Sequence, residues 1–247
     1  MSAGAEGPRY AVVTGAAGGI GSAIVREFLK RGLVVHGLDR VAAAPAERYF
    51  VHQVDLADRA DTDRTVARLT AALPGRCEVL VNGAGVSRLQ AFVETPDRLL
   101  DELLEVNFSA AFRVTRALVP LLKAGSQAAI INVASELALV GQSGYSAYCG
   151  TKGALLAWSR ALAVELAVAG IRVNAVCPGP VDTPMLQAEF AGLPSPLRAR
   201  QEEVASVPLG RLGKPEDIAA VVALLASPEA AFVTGAAWSV DGGKTAR

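Results

Sequence analysis

Short runs of apolar residues alternate with longer amphipathic segments along the whole chain. The short runs are rich in valine and isoleucine at successive positions, which is typical of parallel strands covered by helices on both faces. In the longer segments apolar residues recur at helical spacing, as Ile20, Ile24 and Phe28 do over 20–30. The pattern predicts strands at 10–13, 33–38, 49–54, 78–81, 128–133, 171–176 and 237–240. It predicts helices at 20–30, 59–73, 96–123, 143–169 and 215–226.

This alternation continues without a linker, a low-complexity tract or an internal repeat. We therefore expect one α/β domain over 9–244. Its centre would be a doubly wound parallel sheet of about seven strands, with helices on both faces. The segments 1–8 and 245–247 are predicted to be flexible tails.

The composition narrows the classes of function that such a domain serves. Hydrophobic residues make up 51% of the 247 residues and charged residues 19%, which provides a sizeable core and excludes a disordered chain. The 24 basic residues balance the 24 acidic ones, so no overall charge attracts a nucleic acid or an acidic membrane. Aromatic residues, at 5%, are too few to favour a surface on which bases stack.

The small numbers of cysteines and histidines and the hydropathy along the chain exclude further classes of protein. Three cysteines without a CxxC spacing and only two histidines provide poorly for a disulfide framework, a metal site or a histidine dyad. No apolar run approaches the roughly 18 residues of a membrane helix. Residues 1–9 also lack the apolar core of a signal peptide. We expect a cytoplasmic protein with no metal, no nucleic-acid partner and no membrane partner.

A glycine-rich turn joins the first predicted strand to the first helix. It contains Gly15, Gly18, Gly19 and Gly21. Glycines permit positive φ and close approach of a ligand, and the free N–H groups at a helix N-terminus bind a pyrophosphate well. Because the turn lies between a strand and a helix, a dinucleotide site is favoured over a plain small-residue turn.

Asp39 ends the second predicted strand and suggests which dinucleotide binds. A carboxylate at this position accepts hydrogen bonds from both adenosine ribose hydroxyls and repels a 2′-phosphate. The sequence therefore predicts NAD over NADP. Arg40 follows directly and would contact a phosphate, so the predicted preference is not absolute. The alternative is that Asp39 only caps a turn.

Tyr148 and Lys152 lie four residues apart in a predicted helix and share one face. Ser135 follows the fifth strand, so it lies at the same sheet edge as the glycine-rich turn. A tyrosine acts as a general acid or base when its pKa falls, and a nearby ammonium group favours the phenolate. On its own, the pair is more simply an ordinary helix surface contact. Tyr145 is a rival tyrosine, about two turns from Lys152.

The chain resembles the short-chain dehydrogenase/reductase family over essentially its whole length. The matching pieces are Thr14-Gly15-xxx-Gly19-Ile20-Gly21, Asp39, Asp55-Leu56, Asn82-Gly83-Ala84-Gly85, Asn107, Ser135, Tyr148-xxx-Lys152, and Pro178-Gly179 with Thr183. The resemblance implies a Rossmann-like fold and an oxidoreductase. Hydride would pass between a nicotinamide cofactor and a secondary alcohol or ketone.

The resemblance also implies a role for each catalytic residue. Tyr148 would be the acid/base, and Ser135 would hold the substrate oxygen. Lys152 would bind the nicotinamide ribose and lower the pKa of the tyrosine. Asn107 would hold a water that links Lys152 to solvent. From the residues alone, the simpler interpretation of Asn107 is a residue that bends a helix.

The cofactor contacts implied by the resemblance extend over the strand ends. Asp55 would meet the adenine amino group, although from the residues alone it is more simply a turn former. The full set of implied cofactor residues is Gly15, Gly18, Gly19, Ile20, Gly21, Asp39, Arg40, Asp55, Leu56, Asn82, Ala84, Gly85, Tyr148, Lys152, Pro178, Gly179, Val181 and Thr183.

Two departures from the family pattern bear on the site. Gly83 replaces an asparagine, which we expect to loosen the support of the site without removing cofactor binding. The turn Ala17-Gly18-Gly19 lacks the basic residue of many NADP-preferring members. Together with Asp39, this favours NAD and oxidation of an alcohol.

The substrate pocket is expected to form from segments that follow the strand ends. Segment 184–208, interrupted by prolines, resembles the family's substrate lid. The predicted pocket residues are Glu136, Leu137, Gln142, Tyr145, Met185 and Leu186. This mixture of polar and apolar side chains suits a medium-sized, partly polar alcohol or ketone. The alternative is that the polar residues of the set lie on a solvent-facing loop.

Two other functions and one assembly follow from the resemblance. The alternative enzyme is a 3-oxoacyl-(acyl-carrier-protein) reductase, disfavoured because 123–129 and 167–170 are nearly uncharged. An NAD-sensing or scaffold protein is disfavoured because Tyr148 and Lys152 are both present. The C-terminal segment 236–243 resembles the family's subunit contact and implies a homotetramer.

Overall fold

The computed structural model describes residues 7–246, which form a seven-stranded sheet. The strand order is β3-β2-β1-β4-β5-β6-β7, and each neighbouring pair is parallel. The strands are β1 Tyr10–Thr14, β2 Val34–Asp39, β3 Tyr49–Gln53, β4 Val79–Asn82, β5 Ala129–Val133, β6 Arg172–Pro178 and β7 Ala237–Val240. The predicted doubly wound parallel sheet is confirmed.

Helices cover both faces of this sheet. They are α1 Gly19–Lys30, α2 Arg59–Ala72, α3 Asp97–Leu104, α4 Ala110–Ala124, α5 Ser146–Leu166, α6 Pro184–Ala191, α7 Pro196–Ser206 and α8 Pro215–Leu225. Successive strand residues enter opposite cores, because side chains alternate across a sheet. Val13 packs in the core that includes residues of α1 and α8, whereas Val12 packs in the core that includes residues of α2 and α4.

The predicted continuous helix 96–123 is wrong in its middle. A π-helical turn, Glu105–Ser109, separates α3 from α4. Such turns shift the side chains that follow and are frequent at functional sites. The widened turn carries Asn107, which is buried.

The proline-rich segment 184–208 is helical rather than broken. Pro184 begins α6 and Pro196 begins α7. Proline suits the first helical position because its φ is already helical and the missing N–H is not needed there. The prolines therefore separate two short helices, which follow β6 near the carboxyl edge of the sheet.

The predicted tails lie mostly at the limits of the described chain. Residues 1–6 and 247 are outside the described residues. Thr245, in the predicted C-terminal tail, donates from its backbone N–H to Asp241 Oδ2 at 2.8 Å. Lys244, just before it, forms ion pairs with Glu136 and Glu203.

The sheet order places the candidate site. The connections run in opposite directions from β1, so a crevice opens between the carboxyl ends of β1 and β4. Thr14 and Asn82, which end these two strands, are register partners. Each predicted site segment follows a strand at this edge.

Candidate active site

The glycine-rich turn is shaped by close backbone contacts. Gly15 has φ of +69°, and a Cβ there would lie 2.8 Å from the Cα of Ala84. A Cβ on Gly21 would lie 1.9 Å from the carbonyl oxygen of Gly15. Gly18 is the N-cap of α1 and supplies no side-chain hydrogen bond, so the first N–H groups of the helix lack a side-chain acceptor. This cradle fits the pyrophosphate of a dinucleotide.

The segment after β6 lies against this turn. A Cβ on Gly19 would lie 2.7 Å from Cγ2 of Thr183, and the Thr183 hydroxyl accepts a hydrogen bond from the N–H of Leu186 at 3.4 Å. Val181 forms an isolated parallel bridge with Gly213. A Cβ on Gly179 would lie 2.7 Å from the Cα of Asp241, which requires glycine there. The two predicted cofactor segments therefore meet at one crevice.

Asp39 is held at the end of β2 and faces the turn. Its Oδ2 accepts a hydrogen bond from the N–H of Ala17, and its Oδ1 accepts one from the N–H of Val41, each at 3.0 Å. Each carboxylate oxygen keeps a further lone pair for a ribose hydroxyl. Within residues 7–246, the Arg40 guanidinium forms no ion pair, so it is available to a phosphate.

Asp55 and Leu56 occupy different environments. Asp55 is exposed, and its Oδ1 accepts a hydrogen bond from the N–H of Ala57 at 2.9 Å, which forms a local turn. Leu56 is buried in the core beside Val66 and Leu69. The Leu56 side chain therefore packs the fold, while the Asp55 carboxylate keeps acceptor capacity for an adenine.

The Asn82 side chain belongs to a buried network behind the crevice. Its Nδ2 donates to Asn132 Oδ1 at 2.7 Å and to Thr115 Oγ1 at 3.0 Å. Asn132 in turn donates to Ser159 Oγ at 2.7 Å. Among the described residues, Asn82 Oδ1 has no hydrogen-bond partner. The side chain ties β4 to β5 and α4, so its backbone is the part that faces the crevice.

Gly83 tightens the junction between β1 and β4. The hydroxyl oxygen of Thr14 accepts hydrogen bonds from the N–H groups of Gly83 and Ala84, each at 3.1 Å. A Cβ on Gly83 would lie 2.8 Å from the Thr14 carbonyl oxygen. The missing side chain lets the two strand ends approach.

Ser135, Tyr148 and Lys152 lie together beside this crevice. Ser135 follows β5, is buried, and its Oγ accepts a hydrogen bond from the N–H of Leu137 at 3.1 Å. Tyr148 and Lys152 lie on α5, with the Lys152 Nζ 5.8 Å from the centre of the tyrosine ring. The Lys152 Nζ donates to the carbonyl oxygen of Val133 at 2.9 Å. Burial lowers the pKa of Lys152 to about 8.

The pKa of Tyr148 moves opposite to the sequence expectation. Burial raises it most, and the charges of Glu189 and Glu136 add to the rise. A hydrogen bond with Ser135 acts in the lowering direction. Lys152 is not among the main causes of the shift in the pKa of Tyr148, and its ammonium group donates to the Val133 carbonyl oxygen. Without a bound positive charge, the site therefore favours the neutral phenol.

Asn107 is held by three hydrogen bonds. Its Oδ1 accepts from the N–H of Val86 at 2.8 Å, and its Nδ2 donates to the Val86 carbonyl oxygen and to Thr151 Oγ1, each at 3.0 Å. A Cβ on Gly85 would meet both the Lys152 Nζ and the Asn107 Oδ1. Both amide hydrogens of Asn107 are committed to protein atoms. A relay water would use the remaining lone pair of its Oδ1.

The predicted pocket residues divide into buried and accessible groups. Glu136 is buried and forms an ion pair with Lys244 at 2.9 Å, so the loop alternative does not apply to it. Tyr145 donates from its hydroxyl to Glu189 Oε2 at 2.9 Å. Leu137 is buried, whereas Gln142 and Met185 are exposed. Leu186 is half-buried on α6.

Sequence reasoning missed four residues that the structure brings to this region: Thr151, Glu189, Glu203 and Lys244. For Thr151 the sequence does contain a signal, because this residue directly precedes Lys152. The others meet their partners across long sequence separations, which spacing does not reveal.

Residues 7–246 contain neither a candidate metal site nor a helix that could span a membrane. No three histidine, cysteine or acidic side chains come together to hold a metal ion. No described helix combines the length and apolar character needed to cross a membrane.

Comparison with known proteins places the chain. A family model described as enoyl-(acyl carrier protein) reductase matches residues 15–245. Nodulation protein G of Rhizobium sp. (strain N33) is 36% identical, with 95% of this chain and 96% of that protein covered. The cis-4-hydroxycyclohexanecarboxylate dehydrogenase of Sinomonas cyclohexanicum is 38% identical, with 96% and 97% covered.

A solved structure gives the same result. The 3-ketoacyl-(acyl-carrier-protein) reductase from Brucella melitensis, complexed with NADH, superposes with a TM-score of 0.87 at 32% identity. The match covers 96% of this chain and 98% of that one. The chain therefore belongs to the short-chain dehydrogenase/reductase family, whose members are oxidoreductases that act on alcohol or ketone groups with a nicotinamide cofactor.

Proposed function

We propose that this protein is an NAD(H)-dependent dehydrogenase that oxidises a secondary alcohol to a ketone, with Tyr148 as the general base. The observation that carries the proposal is the grouping of Ser135, Tyr148 and Lys152 at the sheet edge that also holds the glycine cradle. A hydride acceptor bound in that cradle and a base on α5 would then serve the same substrate carbon.

Each of the three side chains has a distinct task. Ser135 accepts a hydrogen bond from the Leu137 N–H. Its own hydroxyl hydrogen, which hydrogen-bonds with Tyr148 in the free protein, would be donated to the substrate oxygen when substrate binds. Tyr148 takes the hydroxyl proton as the hydride departs. Oxidised nicotinamide, when bound, supplies the hydride acceptor and a positive charge that favours the phenolate. Lys152, with a pKa of about 8, exchanges protons readily near neutral pH.

Asp39 supports the choice of NAD. Its carboxylate is fixed against the glycine turn by two backbone N–H groups, in the place where a ribose 2′-phosphate would introduce like charge. Arg40 would favour a phosphate, and its side chain is exposed.

The test is NADH formation measured by absorbance with a panel of secondary alcohols, and with NADP in parallel. We expect activity with NAD, and loss of at least about a hundredfold in kcat for Tyr148→Phe with NADH binding retained. Near-wild-type turnover in that variant would contradict the assignment of Tyr148.

The second candidate is reduction of 3-oxoacyl thioesters. It is favoured by the name of the Brucella structure, a 3-ketoacyl-(acyl-carrier-protein) reductase. Preferential reduction of a 3-oxoacyl-(acyl-carrier-protein) with NADPH would support it over alcohol oxidation. The nearly uncharged segments 123–129 and 167–170 offer little attraction to an acidic carrier protein.

We further propose a cytoplasmic homotetramer. Exposed apolar side chains support subunit contacts. Val164 and Val168 are 79% and 96% exposed near the end of α5, and Phe232 is fully exposed before β7. Light scattering after size-exclusion chromatography would measure the mass, and a monomer at micromolar concentration would contradict the assembly.

A further inference from the structure

A carboxylate lies close to the reactive tyrosine on the side of the lid helices. Glu189 belongs to α6, and its Oε2 accepts the hydroxyl hydrogen of Tyr145 at 2.9 Å. The ring of Tyr145 meets that of Tyr148 edge to face, with centroids 6.3 Å apart. One tyrosine ring therefore separates the Glu189 carboxylate from Tyr148. The negative charge of Glu189 raises the pKa of Tyr148, so it acts on the reactive hydroxyl.

Glu189 differs from the other two acids of this region. Glu136 and Glu203 share the ammonium group of Lys244, which is largely buried between them. Glu189 has no ion pair within residues 7–246, and its one hydrogen bond uses Oε2. Its second oxygen keeps its capacity to accept a hydrogen bond.

The cations of the surrounding segments are already paired. Arg88 after β4 lies 3.7 Å from Glu102, and Arg200 on α7 lies 3.2 Å from Asp182. Arg198 on α7 pairs with Glu202. A carboxylate group of a substrate beside Glu189 would therefore meet a like charge, while these three arginines already pair with other acids. Like charges brought together in a partly desolvated site repel each other.

We propose that Glu189 is a specificity-determining residue that accepts a hydrogen bond from a second hydroxyl group of the substrate. This hydroxyl would be on one of the carbon atoms next to the carbinol that Tyr148 deprotonates. The favoured substrate class is therefore a neutral polyhydroxy alcohol, and a hydroxy acid with its carboxylate at the same place is rejected. The inference rests on the proposed dehydrogenase function.

Three substrates with one carbon skeleton test this. They are cyclohexanol, the vicinal diol of cyclohexane, and the hydroxy acid that has a carboxylate in place of the second hydroxyl. We expect kcat/KM of the wild type to fall in the order diol, cyclohexanol, hydroxy acid. In Glu189→Gln the ratio of diol to hydroxy acid should fall at least about tenfold, because a hydrogen bond to a charged group and a repulsion are both removed.

Two further variants separate specificity from lid anchoring. Asp63→Asn removes an exposed acid of α2, outside the lid and the site, that pairs with Arg59, and it should leave all three kcat/KM values unchanged. Tyr145→Phe removes the contact between Tyr145 and the lid but keeps the Glu189 carboxylate, so the preference for the diol should persist. If Glu189→Gln and Tyr145→Phe change all three substrates by one common factor, Glu189 only anchors the lid and the proposal is overturned.

Binding to the NADH-loaded protein distinguishes this inference from the proposed function. Thermal-shift titrations with the same three compounds require no turnover. Diol binding that is weakened in Glu189→Gln, without turnover of any compound, would contradict the dehydrogenase function and support the role of Glu189. Turnover or binding that favours the hydroxy acid in the wild type would overturn the role of Glu189 alone. If the wild type neither turns over nor binds any of the three compounds, both the proposed function and the role of Glu189 are overturned.

Discussion

Acid should destabilise the native protein through His36. This residue lies on β2 and is 5% exposed, with its Nδ1 3.0 Å from the Nε2 of His52. The rings of Phe50 and His52 stack on it at 5.0 and 5.3 Å. When both histidines are neutral, one nitrogen donates and the other accepts, whereas double protonation places two positive charges together. Burial, followed by the charge of His52, lowers the pKa of His36 to about 4.

The sign and size of the effect follow from proton linkage. The unfolded chain binds a proton at His36 near pH 6.5, and the native protein binds it only near pH 4. The stabilising contribution is therefore complete above pH 6.5 and is lost as the pH falls from 6.5 towards 4. The pKa difference corresponds to about 3 kcal/mol. Solvent near the half-buried His52 screens part of it, so we expect a loss of roughly 1–3 kcal/mol.

Urea unfolding followed by circular dichroism at several pH values between 4 and 7.5 measures this loss, which falls in the window set by the pKa of His36. The matched variant His36→Phe keeps an aromatic ring against Phe50 and cannot titrate. Its free energy of unfolding should depend less on pH than that of the wild type, by the same roughly 1–3 kcal/mol. Parallel curves for the two proteins would refute the reasoning, because the acid sensitivity would then arise from other groups.

The remaining predictions concern the cofactor and the support of the site. Asp39→Ala should narrow the preference for NAD over NADP, measured as the ratio of kcat/KM values, and an unchanged ratio would exclude Asp39 as the discriminator. Asn107→Ala removes three hydrogen bonds to Val86 and Thr151 and should lower the free energy of unfolding by about 2–3 kcal/mol. Asn107→Asp keeps the Oδ1 acceptor but turns a buried carboxylate oxygen toward the Val86 carbonyl oxygen, so it should be destabilised as well; wild-type stability in either variant would argue against the hydrogen-bond account.

The order of strands and helices could be predicted from the sequence because each element carries its own pattern. The run of apolar residues that sends Val12 and Val13 into opposite cores and the helical spacing of Ile24 and Phe28 are local properties that hold wherever the segment packs. The π-helical turn at 105–109 could not be predicted in this way. Its residues are compatible with a regular helix, and the turn is accompanied by the hydrogen bonds that Asn107 makes to Val86 and Thr151.

The candidate site shows the same division. The glycines of the first turn, Asp39 and the Tyr148–Lys152 spacing are readable because the chemistry needs those residue types at fixed local positions. The spacing of residues in the sequence does not show the environment in which each side chain lies. The sequence predicts that Lys152 lowers the pKa of Tyr148, but in the fold burial raises it and the ammonium group is directed at the Val133 carbonyl.

The sequence by itself therefore determined the α/β architecture, the glycine-rich turn and the candidate residues for the chemistry. Only the tertiary structure decided which charges face one another. Tyr145 meets Glu189, and Lys244 meets Glu136 and Glu203, across long stretches of chain. The physical reason is that periodicity and steric rules act between neighbours in sequence, whereas burial and Coulomb interactions depend on distances that only the packed chain sets.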